Sequence, residues 1–258
     1  MTDERASLLS TREILRIEGG KSRREDDSLL RESRVTLVLD GVEEVTAVCT
    51  AGHEDFWAVG HLKCRRLIEH SEDVRKLDVS TGVVSVVRSR RLEGLPCPRR
   101  LLSTSESELA EGVEQRLEGA ISGGLWIRAS VLREGAAWLA EAPIFRATGG
   151  THVAALVSVG GERLFMAEDI GRHNAVDKVV GWAVMNGAPL GESAILVSGR
   201  LPLDMVVKAL AAGIPFMGSV SAATADGAEA AERGGMVLAG FVRGERMNVY
   251  TLPGLVVP

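Results

Sequence analysis

From residue 149 onward the chain repeats one pattern: a short apolar segment leads through a polar loop into a segment with helical spacing of apolar residues. Strands that alternate with helices predict a mainly parallel sheet with helices packed on it. Two final apolar segments, joined by the short turn RGER, are close enough to form an antiparallel pair. The predicted strands cover residues 163–166, 194–197, 214–220, 236–242 and 247–252. We therefore predict an α/β domain over residues 143–258.

The preceding part of the chain is less regular. Residues 1–32 are rich in charge and are predicted to be a flexible arm, with at most a short strand late in the segment. Residues 33–142 are predicted to form a smaller, mixed α+β domain. Apolar alternation on both sides of Asp40-Gly41 indicates a β-hairpin, since this dipeptide favours a tight turn. Further helical or strand spacing follows at residues 54–70, 82–87, 105–120 and 132–139.

Composition argues against several classes of function. Of 258 residues, 45% are hydrophobic, and the net charge of −5 provides no global basic field for nucleic acid or an anionic membrane surface. No apolar run reaches the roughly 18 residues that a membrane span needs, and the N-terminus has no secretory pattern. Cys49, Cys64 and Cys97 are too few and too irregularly spaced for a disulfide framework or a zinc site. We expect a cytoplasmic protein that holds no metal and contacts neither membrane nor nucleic acid.

The loop EDIGRHN, at residues 168–174, is the densest cluster of functional groups. Ligands of such sheets bind beyond the carboxyl ends of the strands, where loops lead into helices. The glycine of this loop lets the backbone approach a ligand, and its arginine and histidine offer donors to a phosphate or a heterocycle. In a second interpretation, Asp169 and Asn174 are helix caps and Arg172 pairs with Glu168. The candidate ligand-binding residues here are Asp169, Gly171, Arg172 and His173.

Other segments offer similar chemistry. Ser198-Gly199-Arg200 combines a hydroxyl, a glycine and a guanidinium after a strand, although it can also be a turn whose arginine faces solvent. Residues 219–224 offer hydroxyls only, which favours a helix cap. The turn at 241–246 places two arginines together, as a phosphate clamp or as a solvated turn. His152 is either a ligand or a structural histidine. The candidates from these segments are His152, Ser198, Arg200, Phe241, Val242, Arg243, Gly244, Glu245 and Arg246.

Several blocks of sequence resemble one known family. IFRATGGTHVAAL, EDIGRHNAVDKVVGWA, ILVSGRLPLDMVVKALAAGIP, SVSAAT and GFVRGERMNVYT follow one another over about residues 144–252. In this order and spacing they resemble the signature blocks of the FdhD family of sulfur carriers, also called formate dehydrogenase accessory proteins. The N-terminal half matches more loosely, through VTLVLDG and TAGHEDFWAVGHL.

The resemblance implies a fold, a reaction and partners. The C-terminal domain would be a layered, cytidine-deaminase-like α/β domain, and the protein a cytoplasmic homodimer. The family accepts persulfide sulfur from a cysteine desulfurase. It passes the sulfur to the molybdenum bis(molybdopterin guanine dinucleotide) cofactor before this cofactor enters formate dehydrogenase. The candidate residues above would then bind the guanine-nucleotide cofactor. Zinc-dependent deamination is not expected, because the H-x-E and PCxxC signature is absent.

One departure from the family concerns the sulfur-carrying residues. The family has a CxxC pair where this chain reads LLSTSESE, at residues 101–108. A serine hydroxyl stays protonated and cannot carry persulfide sulfur. Cys49 and Cys64 are expected to be buried, so Cys97, near Arg99 and Arg100, is the candidate catalytic residue, because neighbouring guanidinium groups favour a thiolate. Two functions remain open: a sulfurtransferase-type carrier that acts through Cys97, or a cofactor-binding chaperone that has lost sulfur transfer.

Overall fold

The first half of the chain provides a long hairpin, a five-stranded sheet and a helix. The computed structural model describes residues 8–92, 101–102 and 117–258. The elements are β1 (Leu9–Glu18), β2 (Lys21–Leu30), β3 (Ser33–Leu39), β4 (Val42–Cys49), α1 (Glu54–Cys64), β5 (Val74–Ser80), β6 (Val83–Arg88) and β7 (Leu101–Leu102). The strand order of the sheet is β5-β6-β3-β4-β7.

The second half provides the larger sheet and most of the helices described. Its elements are β8 (Ile127–Arg128), α2 (Ala129–Trp138), α3 (Pro143–Thr148), β9 (His152–Ser158), β10 (Arg163–Asp169), α4 (Arg172–Met185), β11 (Ser193–Val197), α5 (Leu203–Ala212), β12 (Phe216–Ser219), α6 (Ala225–Gly234), β13 (Val237–Arg243), β14 (Arg246–Val249) and β15 (Val256–Val257). The chain as a whole is a mixed α/β protein.

The larger sheet has six strands and mixed direction, in the order β10-β9-β11-β12-β13-β14. β12 runs parallel to β11 and β13, whereas β9 is antiparallel to both of its neighbours and β14 is antiparallel to β13. The prediction of a mainly parallel sheet is therefore wrong for the β10-β9-β11 side. There, a short turn rather than a crossover helix joins β9 to β10. The predicted antiparallel pairing of the last two strands is confirmed.

The charged segment at the start of the described chain is an ordered hairpin. β1 and β2 pair antiparallel over their full length, from Leu9↔Leu30 to Glu18↔Lys21. The predicted flexible arm of residues 1–32 is thus wrong over most of its length, and residues 1–7 lie outside the described part. Residues 23–27 of β2 are all charged, and in β1 Arg12 and Glu13 are adjacent, so no apolar alternation revealed the strand period in the sequence.

Helices cover both faces of the larger sheet. On one face, α1, α4 and α5 share a core with Ile195 and Val197 of β11. On the other face, Leu132 of α2 packs in a second core with Leu196 and Phe216. Helix α2 precedes residue 143 but packs on the C-terminal sheet, and α1 belongs to the core on the other face of that sheet. The predicted boundary after residue 142 therefore does not separate two cores.

Membrane insertion through a helix has no support in the described part of the chain. None of its helices combines the length and the apolar character needed to cross a bilayer.

Candidate functional site

The predicted site segments come together along one edge of the six-stranded sheet. His152, which begins β9, pairs with Asp169, which ends β10. Val197, at the end of β11, pairs with Ala154 on one side and with Ser219 on the other. The strand directions therefore bring the loops that precede α4, α5 and α6 to the same edge as the start of β9 and the end of β13. Such an edge is the usual place for a ligand of an α/β sheet.

Asp169 builds the loop that leads into α4. Its Oδ1 accepts hydrogen bonds from the Gly171 N–H at 2.9 Å and from Asn174 Nδ2 at 3.0 Å. Its Oδ2 accepts a hydrogen bond from the Thr50 N–H at 3.1 Å and lies 2.7 Å from Lys178 Nζ. The side chain is fully buried, so Asp169 shapes the loop from beneath instead of facing outward. Its assignment as a ligand contact stays a prediction.

Gly171 is the residue that precedes α4, and no side chain there is tolerated without a shift. A Cβ on Gly171 would lie 2.8 Å from Asn174 Nδ2. The prediction that Asn174 caps the helix is wrong, since no side chain of the described residues caps it. Asn174 donates to the Val48 carbonyl at 2.8 Å and accepts a hydrogen bond from Trp57 Nε1 at 3.2 Å.

Arg172 and His173 share one partner that the sequence did not reveal. Asp204, in the first turn of α5, places Oδ2 3.1 Å from His173 Nε2 and 3.7 Å from Arg172 Nη2. The predicted ion pair between Arg172 and Glu168 is wrong. The Glu168 carboxylate instead accepts hydrogen bonds from the N–H groups of Ile144 and Phe145 and from the Thr151 hydroxyl.

The pKa of Asp204 is lowered, although burial acts to raise it. His173 and Arg172 favour the carboxylate, as does a hydrogen bond from the Met205 N–H. Asp204 is thus ionised at neutral pH and complements the positive charge at the start of α4.

His152 and the Ser198-Gly199-Arg200 loop lie beside Arg172. A Cβ on Gly199 would lie 3.5 Å from His152 Nδ1 and 3.7 Å from the Cβ and Cδ of Arg172. Ser198 Oγ accepts a hydrogen bond from the Val153 N–H at 3.0 Å, and Arg200 is exposed. Burial lowers the pKa of His152, and the positive charge of Arg172 lowers it further. A neutral imidazole next to a guanidinium can accept or donate one hydrogen bond.

The loop after β12 ties its neighbours together. Ser219 Oγ donates to the Gly199 carbonyl at 2.5 Å, and the Ser221 carbonyl accepts a hydrogen bond from the Phe241 N–H at 2.8 Å. Thr224 caps α6 through a hydrogen bond from the Gly227 N–H, as predicted. These contacts join the loops after β11 and β12 to the end of β13. Together with the start of β9 and the loop before α4, they form a continuous surface that we call the rim: His152 and residues 168–174, 198–200, 219–224 and 241–243.

A bulge ends β13 at this rim. The register against β14 shifts between Gly240 and Arg243, and Phe241 has a φ of 51°, in the left-handed region that non-glycine residues rarely adopt. Such strain often marks functional sites. Val242 turns into the second core, so it contributes packing.

The turn after the bulge is exposed. Arg243 Nε donates to the Val220 carbonyl at 2.8 Å, which holds its guanidinium against the loop after β12. Glu245 pairs with Arg133 at 2.9 Å, whereas Gly244 and Arg246 are exposed. Arg243 thus contacts the loop after β12 directly, and the ligand roles of all members of this turn stay predictions.

Buried charged residues beneath the rim were missed by the sequence analysis. Lys178 Nζ bonds the Thr50 carbonyl at 2.7 Å, and Lys208 Nζ lies 2.9 Å from Asp177 Oδ2. The signal was present in the sequence: Asp177, Lys178 and Lys208 interrupt apolar helical stretches, and a charge within such a stretch is retained when it has a partner.

The two described cysteines are buried, as predicted. Cys49 and Cys64 are 1% and 3% exposed. Burial raises the pKa of Cys49 to about 12, so its thiol is neutral at physiological pH. Cys97 and residues 103–108 lie outside the described residues.

A cleft of about 420 Å³ lies at the opposite edge of the sheet, near the ends of α4 and α5. Its lining includes Lys63, Glu69 and Gly187 but none of the predicted site residues that the structure describes. We place the candidate site at the rim because the converging donors lie there.

Comparison with known proteins identifies relatives along nearly the whole chain. The model of the FdhD/NarQ family matches residues 30–257. The sulfur carrier protein FdhD of Methanothermobacter thermautotrophicus is 32% identical over 238 residues, which cover 91% of this chain and 94% of that protein. The sulfur carrier protein FdhD of Nocardia farcinica is 35% identical over 264 residues, covering 95% and 93%.

A solved structure has the same fold. The crystal structure of a candidate formate dehydrogenase accessory protein from Desulfotalea psychrophila superposes with a TM-score of 0.81 and 24% identity, over 97% of this chain and 100% of that one. Sequence and fold agree, and the chain belongs to the FdhD/NarQ family.

Proposed function

We propose that this protein is a formate dehydrogenase maturation factor of the sulfur-carrier type. It would accept sulfur from a cysteine desulfurase and transfer it to the molybdenum bis(molybdopterin guanine dinucleotide) cofactor. The sulfur carrier relatives and the fold of the Desulfotalea psychrophila protein support this role. The observation that carries the proposal is the convergence at one rim of Arg172, His152, Gly199 and Arg243, since guanidinium groups and close-approach glycines suit a phosphorylated ligand.

The rim offers separate groups for the parts of such a client. The start of α4 presents the guanidinium of Arg172, and the N-terminus of a helix favours an anion such as a diphosphate. Gly199 places bare backbone beside the Arg172 side chain, within van der Waals distance of it. The bulge at Phe241 and the fixed Arg243 would contact the remainder of the nucleotide. As parts of the same proposal, the protein is a cytoplasmic homodimer with cytidine-deaminase-like layering.

Cys97 is the proposed sulfur carrier. Its thiolate would attack the terminal sulfur of the desulfurase persulfide, forming a persulfide on Cys97 and releasing the desulfurase cysteine as a thiolate. In the transfer to the client, the client would supply the electron pair of its new bond to the terminal sulfur, while the S–S bond breaks and its electron pair returns Cys97 to its thiolate form. Cys49 and Cys64 are poor alternatives, because persulfide transfer needs an accessible thiolate and both side chains are buried.

A second candidate function is a chaperone that binds the cofactor without transferring sulfur. The observation that favours it is the sequence at residues 101–108, which lacks the CxxC pair of the family. In that case the rim would be the whole functional site.

Mass spectrometry separates these two functions. The wild-type protein is incubated with a cysteine desulfurase and cysteine, and its peptides are analysed without reduction. Gain of one sulfur atom on Cys97, lost in Cys97→Ser and retained in Cys64→Ser, supports the carrier. Cofactor that co-purifies with the protein while no cysteine gains sulfur supports the chaperone, and absence of both contradicts the maturation role.

A further inference from the structure

Two pairs of polar side chains, here the first and second rung, join α4 and α5 at successive helical turns. Nearest the rim, Asp204 on α5 lies against His173 on α4 at 3.1 Å. One turn further along, the carboxylate is on the other helix, and Lys208 on α5 lies 2.9 Å from Asp177 on α4. Residues four apart on a helix share a face, so the spacing from His173 to Asp177 matches that from Asp204 to Lys208.

The first rung links two of the loops that form the rim. The Asp204 carboxylate belongs to the helix that follows the Ser198-Gly199-Arg200 loop, whereas Arg172 and His173 begin the helix that follows β10. Its Oδ1 accepts a hydrogen bond from the Met205 N–H at 2.8 Å, which leaves Oδ2 for the two basic side chains. Asp204 and His173 are 8% and 5% exposed as side chains, but Arg172 keeps 20%. One end of this cluster is therefore anchored and the other is accessible.

We propose that Asp204 is a positioning residue that holds Arg172 and His173 in place for a phosphate group of the ligand. The inference rests on the proposed function and deepens it. Donors whose rotamers are already fixed bind an anion more tightly, because less side-chain entropy is lost on binding. The second rung already joins α4 to α5 in the core, so the effect of Asp204 is concentrated on the rim.

This role makes a specific demand on the ligand. Arg172 would contact the phosphates, since its side chain is the accessible part of the cluster and the bare backbone of Gly199 lies beside it. The nucleoside part would contact other groups of the rim. Loss of Asp204 should therefore weaken binding of phosphorylated ligands and leave a nucleoside unaffected.

The test compares binding of GDP, inorganic pyrophosphate and guanosine to the wild-type protein and three variants by calorimetry. Asp204→Asn is expected to bind GDP and pyrophosphate at least about tenfold more weakly, with guanosine binding unchanged. Asp204→Glu keeps the charge but displaces the carboxylate by one methylene, so its affinities for GDP and pyrophosphate are expected to fall between those of the wild-type protein and Asp204→Asn. Asp177→Asn makes the same chemical change at the second rung, and is expected to lose thermal stability without selective loss of phosphate binding.

The outcomes distinguish this inference from the proposed function. GDP binding by Asp204→Asn that equals wild type, or an equal loss in Asp177→Asn, overturns the positioning role. If Asp204→Asn does not fold, Asp204→Glu decides, and wild-type affinity for both anions overturns the role. Pyrophosphate binding that depends on Asp204, with GDP bound no more tightly than pyrophosphate, supports the positioning role while the guanine-nucleotide client fails. Absence of wild-type binding to either anion overturns both proposals.

Discussion

Gly60 on α1 and Gly181 on α4 face each other where the two helices cross, and neither position has room for a side chain. A Cβ on Gly60 would lie 1.8 Å from the Asp177 carbonyl oxygen, and a Cβ on Gly181 would lie 1.8 Å from the Phe56 carbonyl oxygen. The obstructing atoms are backbone atoms, so no change of rotamer can relieve the clash. The crossing fixes the helix that begins at Arg172 against the N-terminal half of the chain.

Gly181→Ala is expected to separate α1 from α4 and to destabilise the protein by about 3 kcal/mol or more. Chemical denaturation monitored by circular dichroism measures this loss. Gly191→Ala is the matched control, because a Cβ there would lie no closer than 4.0 Å to the Gly213 carbonyl oxygen, an ordinary contact. Comparable stability of the two variants would contradict the close crossing.

Lys178→Met is expected to cost about 3–5 kcal/mol, since it leaves the buried Asp169 carboxylate without its cation. Both side chains are almost fully buried, and Lys178 also bonds the Thr50 carbonyl. Arg233→Met removes the exposed pair with Glu229 and should change stability by less than about 1 kcal/mol. Urea unfolding of both variants checks the contrast, and a small cost for Lys178→Met would show that the pair is dispensable.

Arg172→Ala and Arg243→Ala are each expected to weaken GDP binding roughly tenfold, as expected for loss of a charged hydrogen bond. Calorimetry measures the affinity. The control must be an arginine remote from the rim. Arg75, which is exposed on β5 of the five-stranded sheet, meets this requirement, and Arg75→Ala is the control variant. Arg88 is unsuitable despite its surface-like sequence context, because it is nearly buried and pairs with Asp40 at 2.9 Å. Equal loss in Arg75→Ala would argue against the rim as the ligand site.

Alkylation by iodoacetamide at pH 8 is expected to spare Cys49 and Cys64 in the folded protein. Burial raises the pKa of Cys49 to about 12, which leaves a thiolate fraction on the order of one in ten thousand at pH 8. Because the pKa of this acid is raised, the neutral thiol persists until the pH approaches about 12. Peptide mass spectrometry with and without denaturant checks this, and rapid modification of Cys49 in the native protein would refute its burial.

Local features of the sequence predicted much of the second half. The strands that end at Val197 and Ser219, and the helices that follow them, announce themselves by apolar spacing within a few residues of chain. The loops that precede α4, α5 and α6 were also identified correctly as strand-to-helix loops. The direction of β9 was not predicted, because strand direction depends on pairing between distant segments and not on the period of either one.

The buried charges were harder to predict, since their partners are far apart in sequence. Asp204 reads as an ordinary first-turn acid, and only the packing of α5 on α4 brings it to His173. Thr50 lies at the end of a strand in the first half, yet it hydrogen-bonds Asp169 across 119 positions of chain. Periodicity indicates which face of a helix is buried, but it does not say which buried polar groups meet.

Because Thr50 in the first half of the chain hydrogen-bonds Asp169 in the second half, the second half alone does not contain every group that shapes the rim. A C-terminal fragment would keep every arginine of the rim while losing the backbone groups that hold Asp169 and Lys178. Grafting that fragment onto another protein would thus transfer the functional groups without the backbone of Thr50 that supports them. For the loop to keep its shape, substitutions in one half must remain compatible with these contacts from the other half.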